Sequence, residues 1–423
     1  MGIRLSEVIR HYSRKDVSAE LVRFAQNREF AVQFKEGFGR RPDILQFPGD
    51  IVNLARKGAA SFHASEERWL DPLRLSADST KPQLDELRTG WDLVLDIDCK
   101  RLEWSTICAK LLMDALKYHD LKSASIKFSG GTGWHIGIPY EALVTTKRIP
   151  AFPDTPQIIA RYLKEFIAPH LGDKILKLEQ DIKNISRKSG KPPKDLIKDK
   201  EFNPYSILEI DTVLISSRHL IRMPYSFNEK TWLVSLPIKP KSIEQFNISW
   251  AKPEAITEVK DDFLNPEKAK PGEGSQLLIQ ALDWKIREIQ KEAKTYVGQK
   301  FEFKGKVPRD VFPPCIKCIL KGLPDGRKRS VFVLCNFLKS LGWDWTDIEK
   351  EMRAWNLKNN PPLKAGYLNS QLRWHARQSL KIPPPNCKAY YQDIGVCKPE
   401  NICRKIKNPL SYVRFRTRRS PSR

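Results

Sequence analysis

The chain has 423 residues, 40% of them hydrophobic, a globular composition long enough for two or three domains. It carries 74 lysines and arginines against 50 aspartates and glutamates, a net charge of +24 that suits a polyanionic partner, most simply nucleic acid, unless the source organism's proteins are basic in general. No run of about 18 apolar residues occurs, so no membrane partner is expected, and residues 1–11 lack a signal-peptide core; the expected location is cytoplasmic and nucleoid-associated, where the eight cysteines are thiols or metal ligands rather than disulfides.

Residues 1 to about 75 read as mostly helical, with basic patches such as residues 38–42. Residues 90–140 read as strand, helix and hairpin. In the first strand, Leu93, Leu95 and Ile97 fall on one face, and Asp96 and Asp98 on the other, because side chains alternate with period two. Those carboxylates point the same way, about 7 Å apart at the backbone. Two neighbouring anions on an apolar strand are costly unless something cationic sits between them. A pair of divalent metal ions is the obvious partner and nucleotidyl transfer the obvious chemistry; a sheet edge with two solvated aspartates is the plain alternative.

The hairpin of residues 125–139 alternates Ile126 and Phe128 with polar residues, turns through a Gly-rich segment, and alternates again at Trp134, Ile136 and Ile138. Ser129 and His135 fall on polar positions at the mouth of the turn, where glycines let backbone N–H groups approach a phosphate. A hydrogen-bonded structural role for His135 stays open at this point. Residues 157–169 read as an amphipathic helix, and the lysine-rich stretch 173–202 as a solvated helix and loop. Strand character returns at 206–213 and 231–238. Asp211 ends an apolar strand as Asp98 does, and Arg218, Arg222 and Lys230 place cations close to it in sequence. Three carboxylates for metal with cations for a triphosphate are what metal-assisted phosphoryl transfer needs; a surface salt-bridge cluster is the alternative.

Residues 239–274 are rich in Pro, Lys and Glu and read as a linker. A helix is expected from Ser275 to about Ala293, with Leu278, Leu282, Ile286 and Ile289 on one face. From Val307 onward the pattern is mainly helical. Six cysteines fall between Cys315 and Cys403. Thiolates gathered from distant points suit a [4Fe–4S] cluster or structural zinc, and Cys315-Ile-Lys-Cys318 makes zinc a fair rival; scattered buried cysteines are the plain alternative.

The order D-I-D, S-G-x-x-G-x-H, and I-D followed by R-H-L-I-R-M-P-Y-S resembles the catalytic small subunit of archaeal and eukaryotic DNA primases, as does the upstream segment 59–72. The resemblance covers roughly residues 25–240. It implies an α+β catalytic domain of mixed β-sheets flanked by helices, with Mg²⁺ or Mn²⁺ on Asp96, Asp98 and Asp211. It implies contacts to the incoming nucleotide's phosphates from Ser129, His135 and Arg222, and Arg218 and Lys230 are added as nearby cations. Two departures stand out. Basic residues common in the S-G-x-x-G turn are here Gly131 and Thr132, and the family's S-x-H-x-K-T-G segment carries Asn228 for its histidine and Trp232 for its glycine. A zinc knuckle beside the site is expected to be missing.

The succession P-P-C, a helical stretch, P-P-N-C, two further cysteines, and K-N-P-L-S-Y resembles the mainly α-helical iron–sulfur domain of the primase large subunit over about residues 307–412. That likeness implies Cys315, Cys387, Cys397 and Cys403 as [4Fe–4S] ligands, with Cys318 and Cys335 spare. It implies loosely that Arg327, Arg329, Tyr367, Arg373 and His375 hold the template and the initiating 5′-triphosphate; basic and aromatic interleaving suits single-strand binding. The expected organisation is a catalytic domain (1–240), a linker and helix (241–306), an iron–sulfur domain (307–412) and a disordered basic tail (413–423). The expected function is a single-chain DNA primase using single-stranded DNA, nucleoside triphosphates and an RNA or DNA primer, with replisome proteins as further candidate partners. A primase-polymerase for repair or a mobile element, and a non-catalytic nucleic-acid-binding protein on a primase scaffold, are the alternatives.

Overall fold

The computed structural model describes residues 3–144, 151–198, 200–212, 215–297, 303, 306–378, 382–387 and 390–418. They form two compact units, Met1–Lys291 and Glu292–Arg423. Among the described residues the strands, in chain order, are β1 (Phe30–Phe34), β2 (Gly37–Phe38), β3 (Ser61–Ser65), β4 (Glu67–Trp69), β5 (Arg88–Trp91), β6 (Leu93–Cys99), β7 (Ser125–Phe128), β8 (Trp134–Ile138), β9 (Ile197–Lys198), β10 (Glu201–Phe202), β11 (Leu208–Asp211), β12 (Leu220–Arg222) and β13 (Pro237–Ile238).

The first unit is α+β and holds two principal sheets, of order β11-β6-β8-β7-β13 and β12-β3-β1-β2. Every named strand pairing is antiparallel, where mixed sheets were expected. The chain leaves β6 through the Leu102–Tyr118 helix and returns as β7, and the hairpin strand β8 then inserts between the two. Leu93, Leu95, Ile97, Ile126, Phe128, Trp134 and Ile136 bury one face of the five-stranded sheet against Trp104, Cys108 and Leu112 of that helix and against the Asp154–Glu179 helix. Trp104, Cys108 and Leu112 recur every four residues, which places them on one helical stripe. Val94, on the opposite face, joins a second core with Phe30, Val32, Phe62, Ile221, Val234, Phe263 and Leu264.

Residues 1–75, expected to be mostly helical, hold β1–β4 among three α-helices. Phe30, Val32, Phe62 and Ala64 complete the second core from paired strands, a tertiary demand that local propensity did not reveal. The 239–274 stretch, expected as a linker, lies inside the first unit. Ile243, Ala251, Ile256, Phe263 and Leu264 are buried there, and short 3₁₀ turns carry its prolines. The following helix runs Ser275–Val297, and its buried positions are Leu277 and Ala281; Leu282 and Ile286 are exposed, and the side chain of Ile289 lies outside the described residues. Leu278 of the expected face is partly buried against the first core, but packing centres the buried stripe on Leu277, Ala281 and Trp284.

The second unit is helical in its described residues. Helices Pro314–Leu320, Arg327–Ser340, Trp345–Asn356, Ala365–Arg377 and Pro409–Arg418 surround Ile316, Leu334, Phe337, Ile348, Met352 and Trp355. Residues 413–418, expected as disordered tail, belong to the last helix, where Val413 is fully buried; 419–423 lie outside the described residues. No helix of the described residues is long and apolar enough to cross a membrane.

Candidate active site

Four strands bring the expected carboxylates into one row. Asp211 of β11 pairs with Asp96 of β6, Asp96 pairs with His135 of β8, and His135 pairs with Lys127 of β7. Directly opposite residues share a face, with Cβ atoms about 5 Å apart. Asp98 lies on the same face one step along β6, opposite Glu209. Burial, followed by the charges of Asp98 and Asp211, pushes the Asp96 pKa up to about 7 against the pull of Lys127. Burial, Asp211 and Glu209 push Asp98 up as well, opposed by Lys230. Asp96 Oδ1 is buried and has no hydrogen-bond partner; His135 Nε2 lies 3.4 Å away.

The turn beside this row is built for close approach. Ser129 Oγ accepts from the N–H groups of Gly131 and Gly133, both at 3.3 Å. Thr132 Oγ1 bonds to the carbonyl of Cys99, and Ser105 Oγ donates to the Thr132 carbonyl at 2.7 Å. The turn is therefore pinned to the end of β6 by hydroxyls. A Cβ on Gly133 would run into the carbonyl oxygen of Ile97, between the two aspartates. Burial holds His135 well below the usual imidazole range, with Lys127 and Arg222 adding to the effect.

The cations divide. Arg222 lies opposite His63 on β3, and its charge is felt by both Lys127 and His135; its Nη1 contacts Glu229 Oε2 at 2.6 Å and the Phe227 carbonyl at 2.7 Å. Lys230 is exposed and near enough to Asp98 to lower its pKa. Arg218 is committed elsewhere: it forms a two-point contact with the fully buried Glu29, at 2.7 and 3.0 Å, and its backbone N–H meets Glu67. Glu29 also takes Arg41, so Arg218 belongs to an interior ion network. Two residues of the site were not singled out in the sequence. Lys127 is fully buried, and a lysine between Ile126 and Phe128 was the available signal. His219 sits 3.4 Å from Glu66. Burial lowers its pKa, but Glu66, Asp96 and Asp211 outweigh that and raise it overall.

In the second unit, Cys315 and Cys387 respond to the other cysteines. Burial, then Cys387, Cys403 and Cys397, push Cys315 up to about 12; burial, Cys403 and Cys397 push Cys387 up to about 11. Asn408 Nδ2 donates to the Pro384 carbonyl at 2.8 Å, and the Cys387 N–H donates to the Lys407 carbonyl, so the K-N-P segment clamps the P-P-N-C loop. Arg329 and Arg373 are exposed, Arg327 bonds to the Pro361 carbonyl, and Lys328 Nζ lies 5.3 Å from the Tyr367 ring. His375 does not join them. It is buried with Leu368 and Leu372 on the inner stripe of its helix, while the adjacent Trp374 is 45% exposed. Among the described residues, no three histidine, cysteine or acidic side chains stand close enough to enclose a metal ion.

No protein-family profile matches the chain. It is 26% identical over 267 residues to the DNA primase small subunit PriS of Pyrobaculum islandicum, covering 56% of this chain and 77% of that protein. It is 28% identical over 167 residues to the DNA primase large subunit PriL of Thermococcus kodakarensis. The chain is primase-like. The second match covers 30% of this chain and spans only 42% of the large subunit's length. Among solved structures, the polymerase domain of Mycobacterium tuberculosis Ligase D in complex with DNA is similar at 13% identity and a TM-score of 0.37, over 66% of this chain and 88% of that one; so loose a likeness supports no argument.

Proposed function

We propose that this primase-like chain is a single-chain DNA primase that makes short primers on single-stranded DNA by template-directed nucleotidyl transfer. The observation that carries the reading is the in-register pairing of Asp211 with Asp96, with Asp98 beside them and Asp96 Oδ1 buried without a partner. An orphaned, desolvated carboxylate oxygen among other anions is the donor set that a hard divalent cation satisfies. Magnesium sites commonly use one or two carboxylates and complete their shell with water and substrate phosphates, which suits an open row. Asp96, Asp98 and Asp211 would hold Mg²⁺ or Mn²⁺, which when bound activates the attacking hydroxyl and offsets charge on the leaving pyrophosphate.

The chain's own groups do the rest. The Ser129 hydroxyl, held in place by the N–H groups of Gly131 and Gly133, and the His135 N–H would meet the phosphates; Lys230 lies beside Asp98, and Arg222 becomes available when it leaves Glu229. In the second unit, the basic and aromatic surface around Arg327, Arg329, Tyr367 and Arg373 binds template and the initiating 5′-triphosphate by charge and stacking. The Cys315, Cys387, Cys397 and Cys403 thiols would hold a [4Fe–4S] cluster, with zinc as the rival. Tethering both units in one chain raises the effective concentration of one at the other.

The test is priming on a single-stranded template with labelled nucleotides and Mg²⁺ or Mn²⁺, using anaerobically purified protein beside Asp96→Ala/Asp98→Ala. Oligomers from wild type alone are expected. Equal product from the double variant would sink the reading.

A further inference from the structure

Lys127 has no evident reason to be where it is. It is fully buried on β7, between Ile126 and Phe128, and ranks among the largest wholly buried side chains of the chain. Its Nζ has two hydrogen-bond partners, neither of them a carboxylate: Ser235 Oγ at 2.7 Å and His135 Nδ1 at 2.9 Å. The ring of Phe263 lies 5.3 Å from Nζ on the core side. A methionine would fill this space without desolvating an amine. What lysine adds is a donor.

The bond to Ser235 has a definite direction. The Ser235 hydroxyl donates to the Phe128 carbonyl at 3.1 Å, so its oxygen accepts from Lys127. The second bond joins Nζ to His135 Nδ1, and which atom donates there depends on the tautomer of the ring. On the far side of the ring, His135 Nε2 lies 3.4 Å from Asp96 Oδ1, the buried oxygen that lacks a hydrogen-bond partner. A neutral imidazole carries one proton, and the bond at one nitrogen decides where it sits.

We propose that Lys127 is a positioning residue that donates to His135 Nδ1 and holds the imidazole as its Nε2–H tautomer, so that an N–H donor faces the carboxylate row and the phosphates bound there. The opposite tautomer sets a nitrogen lone pair against a carboxylate oxygen and leaves the phosphates without that donor. The catalytic consequence rests on the nucleotidyl-transfer reading above; the tautomer does not.

The first experiment is a two-bond ¹H–¹⁵N correlation spectrum of the full chain labelled with ¹⁵N-histidine, with the His135 signals assigned by their loss in His135→Ala. A protonated Nε2 and an unprotonated Nδ1 are expected in wild type, and a tautomer mixture in Lys127→Met. In primer synthesis, Lys127→Met raises the nucleotide KM roughly 10–100-fold, the range typical of groups that orient a site residue. In a His135→Ala background the same substitution changes KM less than about twofold, because the effect passes through His135. A protonated Nδ1 in wild type overturns the proposal, and so does an undiminished Lys127→Met effect without His135. Should Lys127→Met not fold, the wild-type spectrum still decides. A chain that never extends a primer, yet shows Nε2–H, refutes the primase reading and leaves the tautomer assignment standing.

Discussion

Asp211 stands directly opposite Asp96 across the antiparallel β11–β6 pair, although the two are more than a hundred residues apart in the chain. Like charges in this relation destabilise a sheet, and here burial makes the repulsion worse. The arrangement has a physical rationale once a cation sits among the carboxylates. Asp96→Asn should accordingly lower nucleotidyl transfer by roughly 10²–10³-fold or more while leaving the metal-free protein at least as resistant to heat. Parallel rate and melting measurements check both halves; an active Asp96→Asn variant removes Asp96 from the chemistry.

Glu229 competes for Arg222. Their 2.6 Å contact occupies the guanidinium proposed to meet the triphosphate, and Ser61 Oγ, donating at 3.2 Å, steadies the carboxylate. Glu229→Gln keeps the shape and removes the charge. The nucleotide KM should fall about threefold, a magnitude set by a partly exposed ion pair, with kcat little changed. Arg222→Ala should raise KM. A rise in KM for Glu229→Gln would show that Glu229 orients Arg222 rather than withholding it.

Gly133 is a place where no side chain fits, because a Cβ would overlap the Ile97 carbonyl oxygen on β6. Gly133→Ala must move either the turn or β6. Primer synthesis should drop roughly a hundredfold, as expected when reacting groups are misplaced by about 1 Å, with the circular dichroism spectrum kept. Full activity in this variant would mean that the turn stands off the strand in solution.

His11 gives the first unit an acid-sensitive contact remote from the carboxylates. Its Nε2 meets the Tyr225 carbonyl at 2.8 Å, its Nδ1 is buried without a partner, and burial pushes its pKa down to about 4 from 6.5. Between those values the unfolded chain binds a proton that the folded chain excludes. Stability therefore falls as pH drops from about 6.5 towards 4, by up to about 3 kcal/mol from this group. Urea unfolding at about pH 7.5 and about pH 5 should show a smaller loss for His11→Gln than for wild type. Equal losses would assign the acid sensitivity to other groups, His63 first, which burial holds down to about 3.

The cysteines separate into two sets with different expected outcomes. Serine at Cys315, Cys387, Cys397 or Cys403 should strip bound iron or zinc and lower the melting temperature of the second unit, because metal binding of this kind is also folding energy. Cys335→Ala should keep the metal, since that thiol is buried in the helical core, where burial and Lys339 set its pKa rather than another cysteine. Elemental analysis distinguishes iron from zinc. Metal retained at full occupancy in Cys387→Ser would remove that thiol from the ligand set.

Much of the site was legible because strand periodicity is strict. Alternation alone put Asp96 and Asp98 on one face with Leu93, Leu95 and Ile97 on the other, and the Gly-rich turn announced itself between alternating apolar runs. The same rule gave no warning about Lys127, because a lysine on a polar position of a strand is ordinarily solvated. Its burial depends on tertiary neighbours, among them Ser235 and the ring of Phe263 from a stretch that read as linker. Arg218 and Arg222 look alike in sequence. They part because Arg218, at φ +64, turns inward to Glu29, whereas Arg222 continues β12 beside His63.

The sequence by itself determined the chemistry available: which carboxylates, thiols and glycines exist, and which of them share a strand face or a turn. Those follow from local geometry, whose period is set by the backbone. Tertiary structure decided which of these groups meet, since pairing Asp211 with Asp96, committing Arg218 to Glu29 and burying His375 beside Leu372 depend on contacts between distant segments. Such contacts minimise the burial cost of the whole chain, a quantity no local pattern contains.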